Sequence, residues 1–235
     1  MSARAIILAA GRGTRMASYS NASHKSLLEF KGEPLLRRQL RSFSEAGIKE
    51  FVIVGGYLID QMQSFVNTCE QDITLVYNPF YAQTNSIGSL WFARQFMEGD
   101  VFLTNGDTYF ESAIFSKLLS NPNDYVFGID ESKKNDADYR VVLMNDEVLD
   151  MGKDISEQDT MAEYIGIALI RNSGIGLFRE LLENTVKSGN YNLWWEDLFV
   201  ELMAKSRKIS YVDVTGFKWF EVDVVSDYRK NQRYF

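Results

Sequence analysis

The residues with the clearest chemistry come early: glycines that free the backbone, and cations that stay charged. Gly11-Arg12-Gly13-Thr14-Arg15 follows directly on Ala5-Ile6-Ile7-Leu8-Ala9 and Ala10. A short apolar run ending in Gly-Arg-Gly reads as a buried strand that delivers a loop to a sheet edge. The glycines let backbone N–H groups approach a phosphate, and Arg12 and Arg15 add fixed positive charge. Lys25 lies ten residues beyond Arg15, near enough for the loop to fold back and offer both cations to one polyphosphate. That describes a nucleotide site. Two better-known glycine loops do not fit. G-x-G-x-x-G needs glycine where Met16 stands, and no G-x-x-x-x-G-K-[ST] string occurs.

Two carboxylates could complete such a site. Asp107 follows Val101-Phe102-Leu103 and the small turn Asn105-Gly106. Asp223 closes Trp219-Phe220-Glu221-Val222-Asp223, where strand alternation puts Glu221 and Asp223 on one face and Phe220 and Val222 on the other. Two aspartates converging on Mg²⁺ would hold it against phosphate oxygens. The same residues also read as structural, Asp107 capping a turn and Asp223 capping a helix that begins near Ser226. Spacing alone leaves both readings open. His24 is the one histidine and Cys69 the one cysteine. His24 reads as a loop residue beside Lys25, and Cys69 as a packing residue.

The elements that must position these groups alternate through the first half. Strands are expected at Ala5–Ala9, Phe51–Val54, Ile73–Tyr77 and Val101–Leu103. Helices are expected from Pro34 to a stop at Gly47, over Leu58–Phe65, and over Ser86–Phe96. This βα order predicts an α/β fold, a Rossmann-like, mostly parallel sheet with helices on both faces. Ligands in such sheets sit beyond the strands' carboxyl ends, where Gly11, Gly55 and Asp107 fall. The second half predicts strands at Tyr125–Ile129, Tyr139–Met144, Glu163–Ile170, Ile209–Val214 and Trp219–Val222. It also predicts helices at Ile175–Lys187 and Trp194–Lys205. These extend the sheet and add a small cap over the second substrate's site. Nothing resembles a linker, so 1–235 reads as a single domain, with 1–110 as the nucleotide-binding half and 111–235 as the acceptor-binding half.

Residues 8–16 resemble L-A-A-G-x-G-[ST]-R-[LM], the signature of nucleotidyltransferases that activate phosphorylated sugars and alcohols; Lys25-Ser26-Leu27-Leu28 resembles its downstream P-K-x-L-[LV]. His24 replaces that proline, so the loop is expected to lose its fixed φ. Tyr77–Leu90 resembles the N-x-x-Y-x-x-x-N-N-x-x-S-L segment of the phosphocholine cytidylyltransferase branch, with Ser86 in place of the second Asn. Leu193-Trp194-Trp195-Glu196 resembles its [LY]-[YW]-W-[DE] patch, and Glu221–Tyr228 its E-I-D-[ST]-x-x-D-[YL] close. The resemblance implies transfer of a cytidylyl group from CTP to a phosphorylated small alcohol, with Mg²⁺ on Asp107 and Asp223. It makes Arg15 and Lys25 catalytic, and assigns the nucleotide to Ala9, Ala10, Gly11, Gly13, Gly56, Asn85, Ser86 and Gly106. Asn85 or Ser86 would meet the pyrimidine edge; either also suits a helix N-cap. Lys153 resembles a lysine that contacts the acceptor's phosphate.

A quaternary ammonium donates no hydrogen bond and is recognised by aromatic faces and a carboxylate. Trp195, Glu196, Tyr139, Tyr164 and Trp219 are candidates for that box, and phosphocholine is the first choice of acceptor. On a helix, Trp194 and Trp195 would point about 100° apart, so one lines a pocket and the other packs. Phosphoethanolamine, 2-aminoethylphosphonate, another amino-phosphate or a sugar 1-phosphate are alternatives. A regulatory nucleotide-binding subunit without catalysis is another.

Composition bounds these readings. With 235 residues and 46% apolar content the chain can bury a sizeable core. A net charge of −7 argues against a nucleic-acid partner yet suits a metal-bridged nucleotide. One cysteine excludes an internal disulfide and fits the cytoplasm. No run approaches the length of a bilayer span, so membrane insertion is not expected. Oligomeric state is not legible.

Overall fold

A computed structural model describes residues 3–16, 23–135 and 137–234. Strands β1 (Arg4–Ala9), β2 (Glu29–Phe30) and β3 (Glu33–Pro34) precede helix α1 (Leu35–Glu45). Then β4 (Glu50–Gly55), α2 (Ile59–Val66), β5 (Asp72–Tyr77), α3 (Ser86–Ala93) and β6 (Val101–Asn105) alternate as expected. The remainder runs β7 (Thr108–Phe110), α4 (Ser112–Ser120), β8 (Tyr125–Asp130), β9 (Arg140–Met144) and β10 (Glu147–Gly152). It continues through β11 (Ala162–Ile170), α5 (Asn172–Lys187), α6 (Asp197–Ala204), β12 (Ser210–Asp213), β13 (Trp219–Glu221) and α7 (Val225–Asn231). No described helix is long and apolar enough to cross a membrane.

The main sheet has the path β10-β9-β11-β6-β1-β4-β5, with β8 on β11 and β12 on β8. β6, β1, β4 and β5 are mutually parallel, as the βα order requires. β11 runs antiparallel to β6, β8 and β9 and so joins the two halves. Its register against β8 shifts between Tyr164 and Ala168, and Gly166 there takes φ +81°. Glycine tolerates that left-handed conformation, and the bulge re-aims the strand beside the site.

Alternation on β1 feeds a core on each face. Ile6 and Leu8 pack with residues of α3, α5 and α6; Ala5, Ile7 and Ala9 pack with residues of α1, α2 and α4. Both layers are dominated by fully buried aliphatics and phenylalanines, including Phe43 stacked on Phe115 at 3.9 Å between centroids. A third, smaller core joins Met16, Leu28, Phe30 and Leu35 to Phe220, Val222 and Tyr228. Through Met16 and Val222 it anchors the chain directly beside Arg15 and Asp223.

Candidate functional site

The parallel strands end at a cleft of about 350 Å³. Ala9, Ala10, Gly11 and Gly13 line it from the loop after β1, and Asn85 and Ser86 from the start of α3. Gly13 has φ +56°, and a Cβ there would meet the Lys25 side chain at 3.2 Å. Gly56 and Gly106, expected to touch the nucleotide, lie outside the lining. Their glycines serve packing: a Cβ on Gly56 would strike the Ala10 carbonyl at 2.8 Å, and one on Gly106 the Ala9 Cβ at 2.8 Å. Arg12 turns away from the cleft onto the Tyr57 ring, 5.8 Å from its centroid.

β7 and β13 bring the two distant aspartates together. They pair antiparallel with Glu221 opposite Thr108, and the Val222 N–H donates to the Asp107 carbonyl at 3.0 Å. Asp227 accepts from the N–H groups of both Asp223 and Val224 at 2.9 Å, fixing the Asp223 backbone as α7 begins. Lys25 Nζ donates to Asp107 Oδ2 at 2.8 Å and to Asp223 Oδ1 at 2.9 Å, and Arg15 lies 3.1 Å from Asp223 Oδ2. Burial alone would lower the Lys25 pKa, but the charges of Asp107 and Asp223 overturn it and raise it. Burial likewise works to raise the Asp223 pKa, and Lys25 with Arg15 hold it below its ordinary value.

Asp107, Glu221 and Asp223 each offer an oxygen, all within 4.8 Å of one another. Asp107 Oδ1 is buried with no hydrogen-bond partner among the described residues. An all-oxygen set with an unsatisfied buried carboxylate atom fits a hard divalent cation. Glu221 was singled out in the sequence only for sharing a face with Asp223; its alternation with Asp223 was the available signal. Burial and then the neighbouring charges of Asp107 and Asp223 raise its pKa well above the usual range.

His24 keeps what the missing proline would have supplied. Its φ of −62° lies in proline's own range, so the expected loss of a fixed φ does not occur. The imidazole holds the turn, with Nδ1 accepting from the Ser26 N–H at 3.2 Å, while the His24 N–H donates to Gln61 Oε1 at 3.0 Å. Burial lowers its pKa to about 4, so the ring is neutral beside Lys25.

The far end of the cleft is aromatic and acidic. Tyr139, Lys153, Tyr164, Trp194 and Glu196 line it, whereas Trp195 and Trp219 do not. α6 begins at Asp197, later than the expected Trp194, so both tryptophans sit in the turn before it and the helical-spacing argument does not apply. Asp197 accepts from the Trp194 N–H at 2.8 Å, which leaves the Trp194 ring in the cleft. Trp195 is fully buried, and its indole donates to Asn105 Oδ1 at 3.2 Å. Trp219 is buried in the opposite core and donates to Asp130 Oδ2 at 2.8 Å.

Lys153 Nζ lies 5.3 Å from the Trp194 ring centroid and 2.6 Å from Asp138 Oδ2. Tyr139 meets the Trp194 and Tyr164 rings edge-on at 6.4 and 5.7 Å. Burial pushes the Glu196 carboxyl up to about 8, with Asp197 adding to the rise and Lys153 opposing it. The Tyr164 hydroxyl is buried without a hydrogen-bond partner among the described residues. Asn85 caps α3 through the Ser86 N–H at 2.8 Å, and Ser86 Oγ accepts from the Trp195 N–H at 3.0 Å, so both also have structural work.

Comparison with known proteins agrees with this architecture. Residues 5–151 match the family model of the MobA-like NTP transferase domain. A choline-phosphate cytidylyltransferase from Haemophilus influenzae is 30% identical over 227 residues, covering 95% of this chain and 94% of that protein. A CTP:phosphoglutamine cytidylyltransferase from Campylobacter jejuni is 25% identical, covering 95% of this chain and 96% of that one. The solved structure of CTP:phosphocholine cytidylyltransferase from Streptococcus pneumoniae matches with a TM-score of 0.81 at 22% identity, covering 100% of this chain and 99% of that chain. A glycine loop at the strand ends, two cations on two aspartates and a family match over residues 5–151 lead to one conclusion: the chain belongs to the MobA-like NTP transferase family and is a nucleotidyltransferase.

Proposed function

We propose that the protein transfers a cytidylyl group from CTP to a phosphorylated small alcohol with a cationic head, phosphocholine first, releasing pyrophosphate. The observation that carries this is the single cleft that joins Lys25, Asp107 and Asp223 to Trp194, Tyr139 and the buried Glu196. Relatives named for cytidylyl transfer at similar length support the nucleotide. The first half of the chain would hold CTP and the second the acceptor.

The acceptor's phosphate oxygen attacks the α-phosphorus in line. A new O–P bond forms, the bond to the bridging oxygen breaks, and pyrophosphate departs with the electron pair. The nucleophile is already ionised, so no general base is required and catalysis rests on positioning and charge. The backbone N–H groups of Gly11 and Gly13, with Arg15, hold the leaving pyrophosphate. Lys25 stabilises the charge that develops at the α-phosphorus. Asp107 and Asp223, with Glu221 beside them, would hold Mg²⁺, which supplies charge neutralisation at the phosphate oxygens. Glu196 and the Trp194 face orient the acceptor's cation.

One observation favours a second acceptor class. The Tyr164 hydroxyl and the Glu196 carboxylate are both buried, and a primary ammonium could donate to them while a trimethylammonium cannot. Phosphoethanolamine and 2-aminoethylphosphonate are the acceptors of that reading. Pyrophosphate release with Mg²⁺, crossing CTP, UTP, ATP and GTP against phosphocholine, phosphoethanolamine, 2-aminoethylphosphonate and glucose 1-phosphate, separates them. Turnover with CTP and phosphocholine is expected. A preference for the primary amines supports the second reading, and no release with any pair overturns both.

A further inference from the structure

The cation box of the cleft already contains a cation, one supplied by the chain itself. Lys153 follows β10, and its ammonium lies over the Trp194 face at 5.3 Å, paired with Asp138 at 2.6 Å. Tyr139 stands edge-on to Trp194, and the buried Glu196, which lines the same cleft, feels the Lys153 charge. An aromatic face, a carboxylate and an ammonium are what recognition of an organic cation requires, and here all three are present before any ligand binds. A second cation cannot share the Trp194 ring face with the Lys153 ammonium without like-charge repulsion.

We propose that Lys153 is the resting occupant of the acceptor's cation subsite and must leave it for an acceptor to bind. This rests on the acceptor reading above and adds a selection rule to it. A bare amino alcohol gains only the contacts that Lys153 gives up. A phosphorylated one also brings an anion, on which the displaced ammonium finds a new partner. Lys153 thereby ties recognition of the cation to recognition of the phosphate, and keeps unphosphorylated choline or ethanolamine from blocking the site.

The test is tryptophan-fluorescence titration of the full chain with choline and phosphocholine, and in parallel with ethanolamine and phosphoethanolamine. Wild type is compared with Lys153→Ala, Lys153→Gln and Lys153→Arg, each checked for a native circular-dichroism spectrum. With Lys153→Ala and Lys153→Gln the bare cation is expected to bind roughly fivefold more tightly, because its competitor is gone. The phosphorylated form is expected to bind more weakly. Lys153→Arg keeps a cation over the ring and should retain wild-type affinity for the bare cation. Unchanged or weaker bare-cation binding in both neutral variants overturns the proposal; a loss confined to the phosphorylated ligand would make Lys153 a phosphate contact and nothing more. Wild-type turnover is scored separately. Its failure removes the proposed acceptors, while the bare-cation result still decides the role of Lys153.

Discussion

At the scale of single residues, Lys25 and Glu196 are the two charges whose surroundings fix their roles. Lys25 is held between Asp107 and Asp223 at 2.8 and 2.9 Å, so it stays charged and aimed into the cleft. Lys25→Ala should leave the circular-dichroism spectrum native and reduce kcat by roughly 10²–10³-fold, the range for losing one preorganised stabiliser of transition-state charge. Unchanged turnover would remove Lys25 from the mechanism. Glu196 carries a different prediction, because burial raises its pKa to about 8. Below that value the carboxyl is neutral and attracts a cation weakly; above it, the carboxylate binds the acceptor's head group. The KM for the acceptor should therefore fall as pH rises through about 8, with Asp197, Lys153, Asp107, Tyr139 and Tyr164 as the ionisable groups around it. In Glu196→Gln that dependence should vanish, whereas ionisation of the acceptor's phosphate is common to both proteins. Stability runs the opposite way: a folded-state pKa above the unfolded value favours folding at low pH, a contribution lost as pH rises from the ordinary carboxylate range through about 8. A pH-independent KM in the wild type would refute the assignment.

At the scale of elements, the turn Asn105-Gly106-Asp107 is gripped from both sides. Gln39 of α1 donates to the Asn105 carbonyl at 2.9 Å, and Trp195 donates to its side-chain oxygen at 3.2 Å. Trp195→Phe keeps an aromatic ring in the core but leaves Asn105 Oδ1 unsatisfied, at a cost of about 1–3 kcal/mol. It should lower kcat with little change in acceptor KM, measured by steady-state kinetics; an increase in acceptor KM alone would return Trp195 to the acceptor box. The sequence could not distinguish Trp195 from Trp194 because the contrast depends on where α6 begins, and both precede it. Strands β1, β4, β5 and β6 were legible because their apolar runs end at turn residues that the folded chain uses as stops, whereas β2 and β3, two residues each, carry no such run. The hairpin of β9 and β10 was half legible: β9 is an apolar run, whereas β10 mixes Asp150 among its apolar residues. Asn145 and Asp146, at φ 51° and 61°, form the two-residue turn that was its overlooked signal. β13 was legible from the alternation of Trp219 to Asp223, whereas β7, only three residues long, was not, and it is their pairing that sets Asp107 beside Asp223. The two aspartates were thus legible residue by residue, and their convergence came from the family resemblance, since spacing alone left it open.

At the scale of the whole molecule, a net charge of −7 coexists with a site in which the aspartates Asp107, Asp138 and Asp223 each have a cation of the chain upon them. Arg15 and Lys25 lie on Asp107 and Asp223, and Lys153 lies on Asp138. The three distant segments that meet at the cluster are held by packing instead: Met16, Phe30, Phe220 and Val222 share one small core behind it. A fold built this way does not need a divalent cation for cohesion, because the charge that would repel is already compensated. Chelation of nucleotide-free protein should therefore leave Tm within about 1 °C, since only screened, already neutralised charges change. Saturating CTP with Mg²⁺ should raise it by about 5–10 °C, from the roughly 2.7 kcal/mol of linkage at a hundredfold excess over Kd and the slope for a chain of this size. Asp223→Asn removes one donor and leaves the small core intact, so it should fold normally and lose the Mg²⁺-dependent part of that rise. A large fall in Tm on chelation without nucleotide would mean that a bound cation holds Asp107 to Asp223, and that Lys25 and Arg15 only crowd around it.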